Sequence, residues 1–109
     1  MDDSSHRRVS VAEAHRLLRD GKAVLVDVRE TDEFRAGHAP GALHAPLSRA
    51  LPGGRDMILV CRSGNRSRQA VALLAARGIA AVDVIGGMRD WAAQGLPVED
   101  AYGVPGVVI

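Results

Sequence analysis

Two hydrophobic rhythms alternate along the chain. Ser10-Val11-Ala12-Glu13 has the spacing of a capping box, Ala14, Leu17 and Leu18 return on one face behind it, and Gly21 supplies a stop, which predicts a helix over residues 11–20. Ala23-Val24-Leu25-Val26-Asp27-Val28 breaks that period. It is nearly continuous in apolar and β-branched residues, the pattern of a central parallel strand covered on both faces. Thr31, with Asp32 and Glu33 behind it, opens a short helix that carries Phe34 and ends at Gly37, and Ala42 to Ala45 read as a short strand before Pro46. Met57-Ile58-Leu59-Val60 repeats the buried-strand pattern. Beyond Cys61 to Arg66 a helical stretch runs through Arg77, with Val71, Leu73, Leu74 and Ala75 apolar and Gly78 as its stop. The last unit has Ala81 to Ile85 as strand, Gly86-Gly87 as turn, and Met88 to Gln94 as a helix ended by Gly95 and Pro97.

Strands that alternate with helices require right-handed crossovers, so the expected fold class is α/β: a mostly parallel open sheet with helices on both faces. Residues 1–8 are polar and read as a flexible lead-in, 9–100 as the domain, and 101–109 as a tail. That tail holds Gly103, Pro105 and Gly106 without periodicity, leaving open whether Val107-Val108-Ile109 docks on an edge strand or extends freely. A length of 109 residues suits one domain with one core. The 47% apolar and 25% charged content argues against disorder and coiled coil. No apolar run approaches a membrane span and the first eight residues lack a secretory h-region, so the reading is of a cytoplasmic protein with no membrane partner. The formal net charge of +1 is far from the basicity of a phosphate-backbone binder, and no nucleic-acid partner is expected.

Thirteen of the 14 basic residues are arginines, Lys22 being the exception, and they cluster at Arg62, Arg66 and Arg68. There is one cysteine, Cys61, so neither an intrachain disulfide nor a multi-cysteine metal site can form. A lone cysteine at the end of an apolar strand is ordinarily a buried, inert hydrophobe. The residues after Cys61 point to chemistry instead. Ligands of open α/β sheets bind beyond the carboxyl ends of the strands, and Gly64 permits a turn that aims successive N–H groups inward. The helix beyond adds its positive N-terminal end, Arg62 and Arg66 add full charge, and no acidic residue lies from Cys61 through Ala81 to cancel it. Such a setting stabilises a thiolate and receives an anionic substrate.

Cys61-Arg62-Ser63-Gly64-Asn65-Arg66-Ser67 resembles the active-site loop of single-domain rhodanese-like sulfurtransferases. Asp27-Val28-Arg29, Glu33-Phe34 and Gly37-His38-Ala39-Pro40-Gly41-Ala42 resemble that family's first signature, and Gly86-Gly87-Met88-Arg89-Asp90-Trp91 its last; together the stretches span residues 24 to 98. Two positions depart from the pattern: the family usually has a β-branched residue where Ala39 stands and often Asn where His44 stands. The resemblance implies transfer of a sulfane sulfur from a small anionic donor such as thiosulfate to cyanide or a thiol, through a Cys61 persulfide and without cofactor or metal. It implies Cys61 as an exposed nucleophile and Arg66 as catalytic partner, with Arg62, Ser63, Gly64, Asn65, Arg66 and Ser67 forming the substrate-binding loop. The basic Arg62 next to the cysteine leans toward thiosulfate rather than mercaptopyruvate. Asp27, Arg29 and Glu33 are expected to form one structural polar network.

Other motifs take plainer readings. Asp27 lacks the later lysine of a phospho-acceptor site, His38 and His44 lack further metal ligands and read as hydrogen-bonded loop histidines, and Trp91 reads as a core or sealing aromatic. A phosphatase or arsenate reductase would also use a thiolate with an arginine, but tyrosine phosphatases and their rhodanese-fold cousins separate the two by five residues. Here four intervene. A carrier-type or non-catalytic sulfur-relay module with a protein partner is the remaining alternative.

Overall fold

The apolar runs become adjacent strands in a computed structural model that describes residues 7–46 and 56–109. The sheet is all parallel, with β1 (Arg8–Val9), β2 (Val24–Asp27), β3 (Leu43–His44), β4 (Met57–Val60) and β5 (Val82–Val84) in the spatial order β1-β5-β4-β2-β3. Helices α1 (Val11–Arg19), α2 (Thr31–Ala36) and α3 (Asn65–Ala76) lie between them in the chain, and α4 (Gly87–Ala93) follows β5. The expected α/β class and parallel sheet are therefore what the chain adopts. Strand β1 was not expected: Arg8, assigned to the lead-in, pairs with Asp83, and Val9 with Val84. The rest of the expected lead-in, Met1 to His6, lies outside the described residues.

Alternation along the strands sends side chains to two cores, one on each face of the sheet, in place of the single core expected from the length. Leu25, Ile58, Val60 and Val84 pack with Val11 and Ala14 of α1 and Met88 and Trp91 of α4. Val26, Val28, Met57 and Leu59 pack on the other face with Ala70, Val71 and Leu74 of α3, and Cys61 belongs to this second group. Each fully buried aliphatic side chain contributes roughly 1.5–3 kcal/mol, so β4, buried at all four positions, anchors both layers. Trp91 is sealed in the first core and its indole N–H donates to Pro97 O at 2.8 Å, which fixes the chain's exit from α4.

The chain runs outward from β2 to β3 and then returns to place β4 on the other side of β2. The order therefore reverses beside the carboxyl ends of β2 and β4, the place where open α/β sheets form a crevice. Asp27 and Cys61 both stand at that point.

The tail settles on the body of the domain, on neither an edge strand nor open solvent. Glu99 and His38 exchange backbone hydrogen bonds of 2.8 and 2.9 Å, Ala101 N–H donates to Arg35 O at 3.0 Å, and Val107 N–H donates to Ala36 O at 3.0 Å. Val108 packs against the first core. The carbonyls at the end of α2 have no partners within the helix, and the tail supplies their donors. Gly37 makes this approach feasible: its backbone is extended, which any residue adopts, but a Cβ there would collide with the Val107 backbone. Gly37→Ala should therefore cost about 1–3 kcal/mol of stability as an overpacked contact and free the tail. Urea unfolding and limited proteolysis measure both; a tail as resistant to cleavage as the wild type's would contradict this docking.

Candidate active site

Cys61 follows β4 directly and its carbonyl is already committed: Met88 N–H donates to Cys61 O at 2.8 Å and Arg89 N–H to Arg62 O at 2.9 Å. The start of α4 thus grips the beginning of the loop. Gly87 lets it come close, because a Cβ there would strike the carbonyls of Cys61 and Arg62. Gly64 then takes a left-handed conformation, φ 103°, that a side chain would strain, and the loop turns back over the sulfur. Gly64 N–H and Ser67 N–H both donate to Cys61 Sγ, at 3.1 and 3.3 Å.

The first amides of α3 have no carbonyl behind them, and Gly64 at the N-cap has no side chain to offer. Ser67 is the third helical residue, whose amide a capping serine or aspartate oxygen ordinarily satisfies. The Cys61 sulfur takes that role. Donated N–H bonds and the positive end of a 12-residue helix both favour negative charge on the sulfur. Cys61 is 1% exposed, which corrects the expectation of an exposed thiol: the loop that supplies the amides also covers the sulfur.

The polar residues expected as one network divide into separate pairs. Asp27 and Arg29 are wholly buried and joined through Nε and a terminal nitrogen, 2.9 and 2.8 Å, and Arg29 also donates to Gly37 O at 2.7 Å. Glu33 is bound elsewhere. It closes a capping box with Glu30 at the start of α2 and accepts both terminal nitrogens of Arg66 at 2.7 and 2.8 Å. The Arg66 charge, which no acidic residue near it in sequence cancels, is thus met by α2 across the crevice. Arg66's hydrogen bonds hold the Glu33 carboxyl down at about 2, helped by the Glu30 amide and against the effect of burial. The same bond raises Arg66 further above its ordinary range.

Of the other loop residues, Arg62 is exposed and its Nε donates to Ile109 O at 3.0 Å; Ser63 and Asn65 are exposed; Gly64 and Ser67 are buried against the sulfur. Arg68 is exposed on α3. His38 and His44 hydrogen-bond the carbonyls of Phe34 and Arg29 at 2.7 and 2.8 Å and stack on either side of the Phe34 ring. No group of three or more potential metal ligands assembles among the described residues, and no helix among them is long and apolar enough to cross a membrane.

Sequence reasoning missed two residues. Asp83 on β5 accepts the Ser67 hydroxyl at 3.1 Å, and Arg8 on β1 holds both Asp83 oxygens at 3.0 and 3.1 Å. The available signal was the charge itself: Asp83 interrupts an apolar strand, and a buried carboxylate requires a partner.

A family model for the Rhodanese-like domain matches residues 10–94, most of the chain. This chain belongs to the rhodanese-like family. A protein named sulfurtransferase from Allochromatium vinosum is 37% identical over 92 residues, covering 78% of this chain and 86% of the relative. A rhodanese-related protein from Thermoplasma volcanium superposes with a TM-score of 0.77 at 29% identity, covering 85% of this chain and 97% of the other. A Rhodopseudomonas palustris protein, described as of unknown function and a possible tyrosine phosphatase, gives a TM-score of 0.77 at 25% identity, covering 89% and 87%. The family expected from the loop and its two flanking signatures is thus the one to which the chain belongs.

The Glu33–Arg66 pair links stability to pH in a definite direction. The carboxyl lies at 4.5 when free and at about 2 in this rhodanese-like fold, so the pair's contribution is complete above about 4.5 and is lost as pH falls through 4.5 toward 2. The unfolded chain takes up the proton first. Glu33→Gln should cost about 1 kcal/mol at neutral pH, a value reduced for the solvent around an arginine side chain that is 37% exposed, and should flatten the acid slope in that window. Urea midpoints across the window test this; parallel slopes for both proteins would refute it.

Proposed function

We propose that this domain is a sulfurtransferase that moves a sulfane sulfur from an anionic donor such as thiosulfate to cyanide or a thiol through a persulfide on Cys61. The observation that carries the reading is the convergence of the Gly64 and Ser67 amides on the sulfur of the only cysteine. The 37% identical relative bears the name sulfurtransferase, which supports the same reading. In the first step the Cys61 thiolate attacks the outer sulfur of the donor. A new S–S bond forms, the bond to the sulfite sulfur breaks, and its electron pair leaves with sulfite. In the second step the acceptor attacks the terminal persulfide sulfur, and the electron pair of that bond returns to Cys61. The loop amides stabilise the anionic sulfur at each stage.

Arg66 is the proposed partner of the departing sulfite. Glu33 engages its two terminal nitrogens, fixing the guanidinium while N–H donors remain for an anion. Arg62, exposed at the rim, adds charge suited to thiosulfate. Near-complete enclosure of Cys61 favours delivery of a single atom over in-line attack on a tetrahedral phosphorus. The four-residue spacing to Arg66 argues the same way against a phosphatase role.

Thiosulfate treatment should add one sulfur atom to the intact mass of the wild type and none to Cys61→Ser; a folded Cys61→Ser protein that still transfers sulfur would overturn the mechanism. Arg66→Ala should lower kcat/KM for thiosulfate about tenfold or more, near 1.4 kcal/mol, while Arg68→Ala changes it little. Equal losses at both positions would mean that general positive potential, not a placed contact, drives binding.

A further inference from the structure

We infer that Asp83, held by Arg8, decides which way the Ser67 hydroxyl faces and so how readily Cys61 releases its proton. The inference rests on the reading of Cys61 as the sulfur-accepting group and assigns Asp83 and Arg8 to it as positioning residues. Parallel pairing of β1 with β5 puts Arg8 opposite Asp83. The Asp83 side chain is 1% exposed, and Arg8 occupies both of its oxygens while also donating to Gly64 O at 3.3 Å, so one guanidinium ties the carboxylate to the loop. Ser67 lies fully buried between the two groups, its hydroxyl donating to Asp83 Oδ2 at 3.1 Å and accepting from the Cys61 thiol at 3.4 Å.

A hydroxyl has one proton to give. Directed to Asp83, it turns a lone pair toward the sulfur and suits the thiol; directed to the sulfur, it suits the thiolate. The turn is inexpensive only if Asp83 stays satisfied when Ser67 leaves, and the two bonds from Arg8 provide for that. Removing the Asp83 charge releases the hydroxyl to the sulfur. Removing Arg8 leaves a bare buried carboxylate that holds the hydroxyl more tightly. The two halves of one ion pair therefore act on the thiol in opposite directions, as any nearby opposite charges would, and the part that passes through the hydroxyl is the part that disappears without Ser67. The thiol proton goes to solvent, and neither residue makes or breaks a bond in the sulfur transfer.

Other charges surround the site. Arg66 on α3 is paired with Glu33 on α2, Arg62 in the loop with the Ile109 carbonyl, and Arg29 with Asp27 beyond β2; on α4 the Asp90 carboxylate lies against Gly86. Their side chains make no hydrogen bond to Ser67 Oγ or Cys61 Sγ among the described residues.

The test is the pH midpoint of thiolate ultraviolet absorbance, read cleanly because Cys61 is the only thiol. Asp83→Asn should lower the midpoint by about one pH unit and Arg8→Met should raise it by about one, with the double variant near wild type. In a Ser67→Ala background each shift should fall below half its size. Shifts in the same direction, shifts under roughly a quarter of a unit, or full-sized shifts without Ser67 would each overturn the inference. If circular dichroism shows that Asp83→Asn does not fold, Arg8→Met with and without Ser67→Ala carries the same decision. Sulfur uptake from thiosulfate by the wild type is measured separately by intact mass; its absence would remove the sulfurtransferase reading while leaving the midpoints to decide the role of Asp83.

Discussion

The amides that open α3 have no carbonyls to bond, and this deficit organises the loop above β4. In most helices an oxygen from serine, threonine or aspartate at the N-cap meets the need. Here the N-cap is Gly64, chosen for its left-handed backbone, and the acceptor comes from three residues earlier. Cys61 Sγ receives the Gly64 and Ser67 amides at 3.1 and 3.3 Å. One arrangement satisfies the backbone, directs a helix terminus at a single polarisable atom and gives negative charge on that atom a prepared environment. The constraint also explains the approach of α4, whose first amides bind the carbonyls of Cys61 and Arg62 and so keep the sulfur in register with α3.

Three acid–arginine pairs then fasten the elements around that loop. Asp27–Arg29, wholly buried, fixes the turn out of β2 and reaches Gly37 O. Glu33–Arg66 spans the crevice from α2 to α3, and Arg8–Asp83 joins β1 to β5 while touching the loop at Gly64 O. Breaking the wholly buried Asp27–Arg29 pair would leave an unpaired charge, at several kcal/mol, whereas solvent reaches the arginines of the other two pairs and lowers that cost; all three do more to enforce one arrangement than to add net stability. The pairs also divide the charge around the sulfur: Arg8 is taken up by Asp83 and Gly64 O, while Arg66 is held by Glu33 with N–H donors to spare.

The tail contributes a layer of its own. By donating to Arg35 O and Ala36 O it completes the carboxyl end of α2, the helix that carries Glu33, and its last carbonyl accepts from Arg62. Packing at the far end of the chain is thereby linked to both sides of the crevice.

Strand and helix content, the parallel sheet, the family and the loop with its sole cysteine were all legible in the sequence. Each rests on local information: the period of apolar residues, a glycine at a turn, a motif within seven residues. Strand β1 escaped because two residues carry no period and Arg8 is a poor strand signal; only the unfilled edge of β5 makes it a strand. The partner of Glu33 was misread for a related reason, since a carboxylate near Arg29 in sequence is closer in space to Arg66, and charge pairing follows distance across the crevice rather than along the chain. The same holds for the tail, whose irregular sequence is fitted to the carbonyls of α2, and for the exposure of Cys61, which depends on how tightly the loop closes. The sequence alone determined which groups of the chain have chemistry to offer. The tertiary structure decided which of them meet, because hydrogen bonds and ion pairs act over a few ångströms that no spacing along the chain encodes.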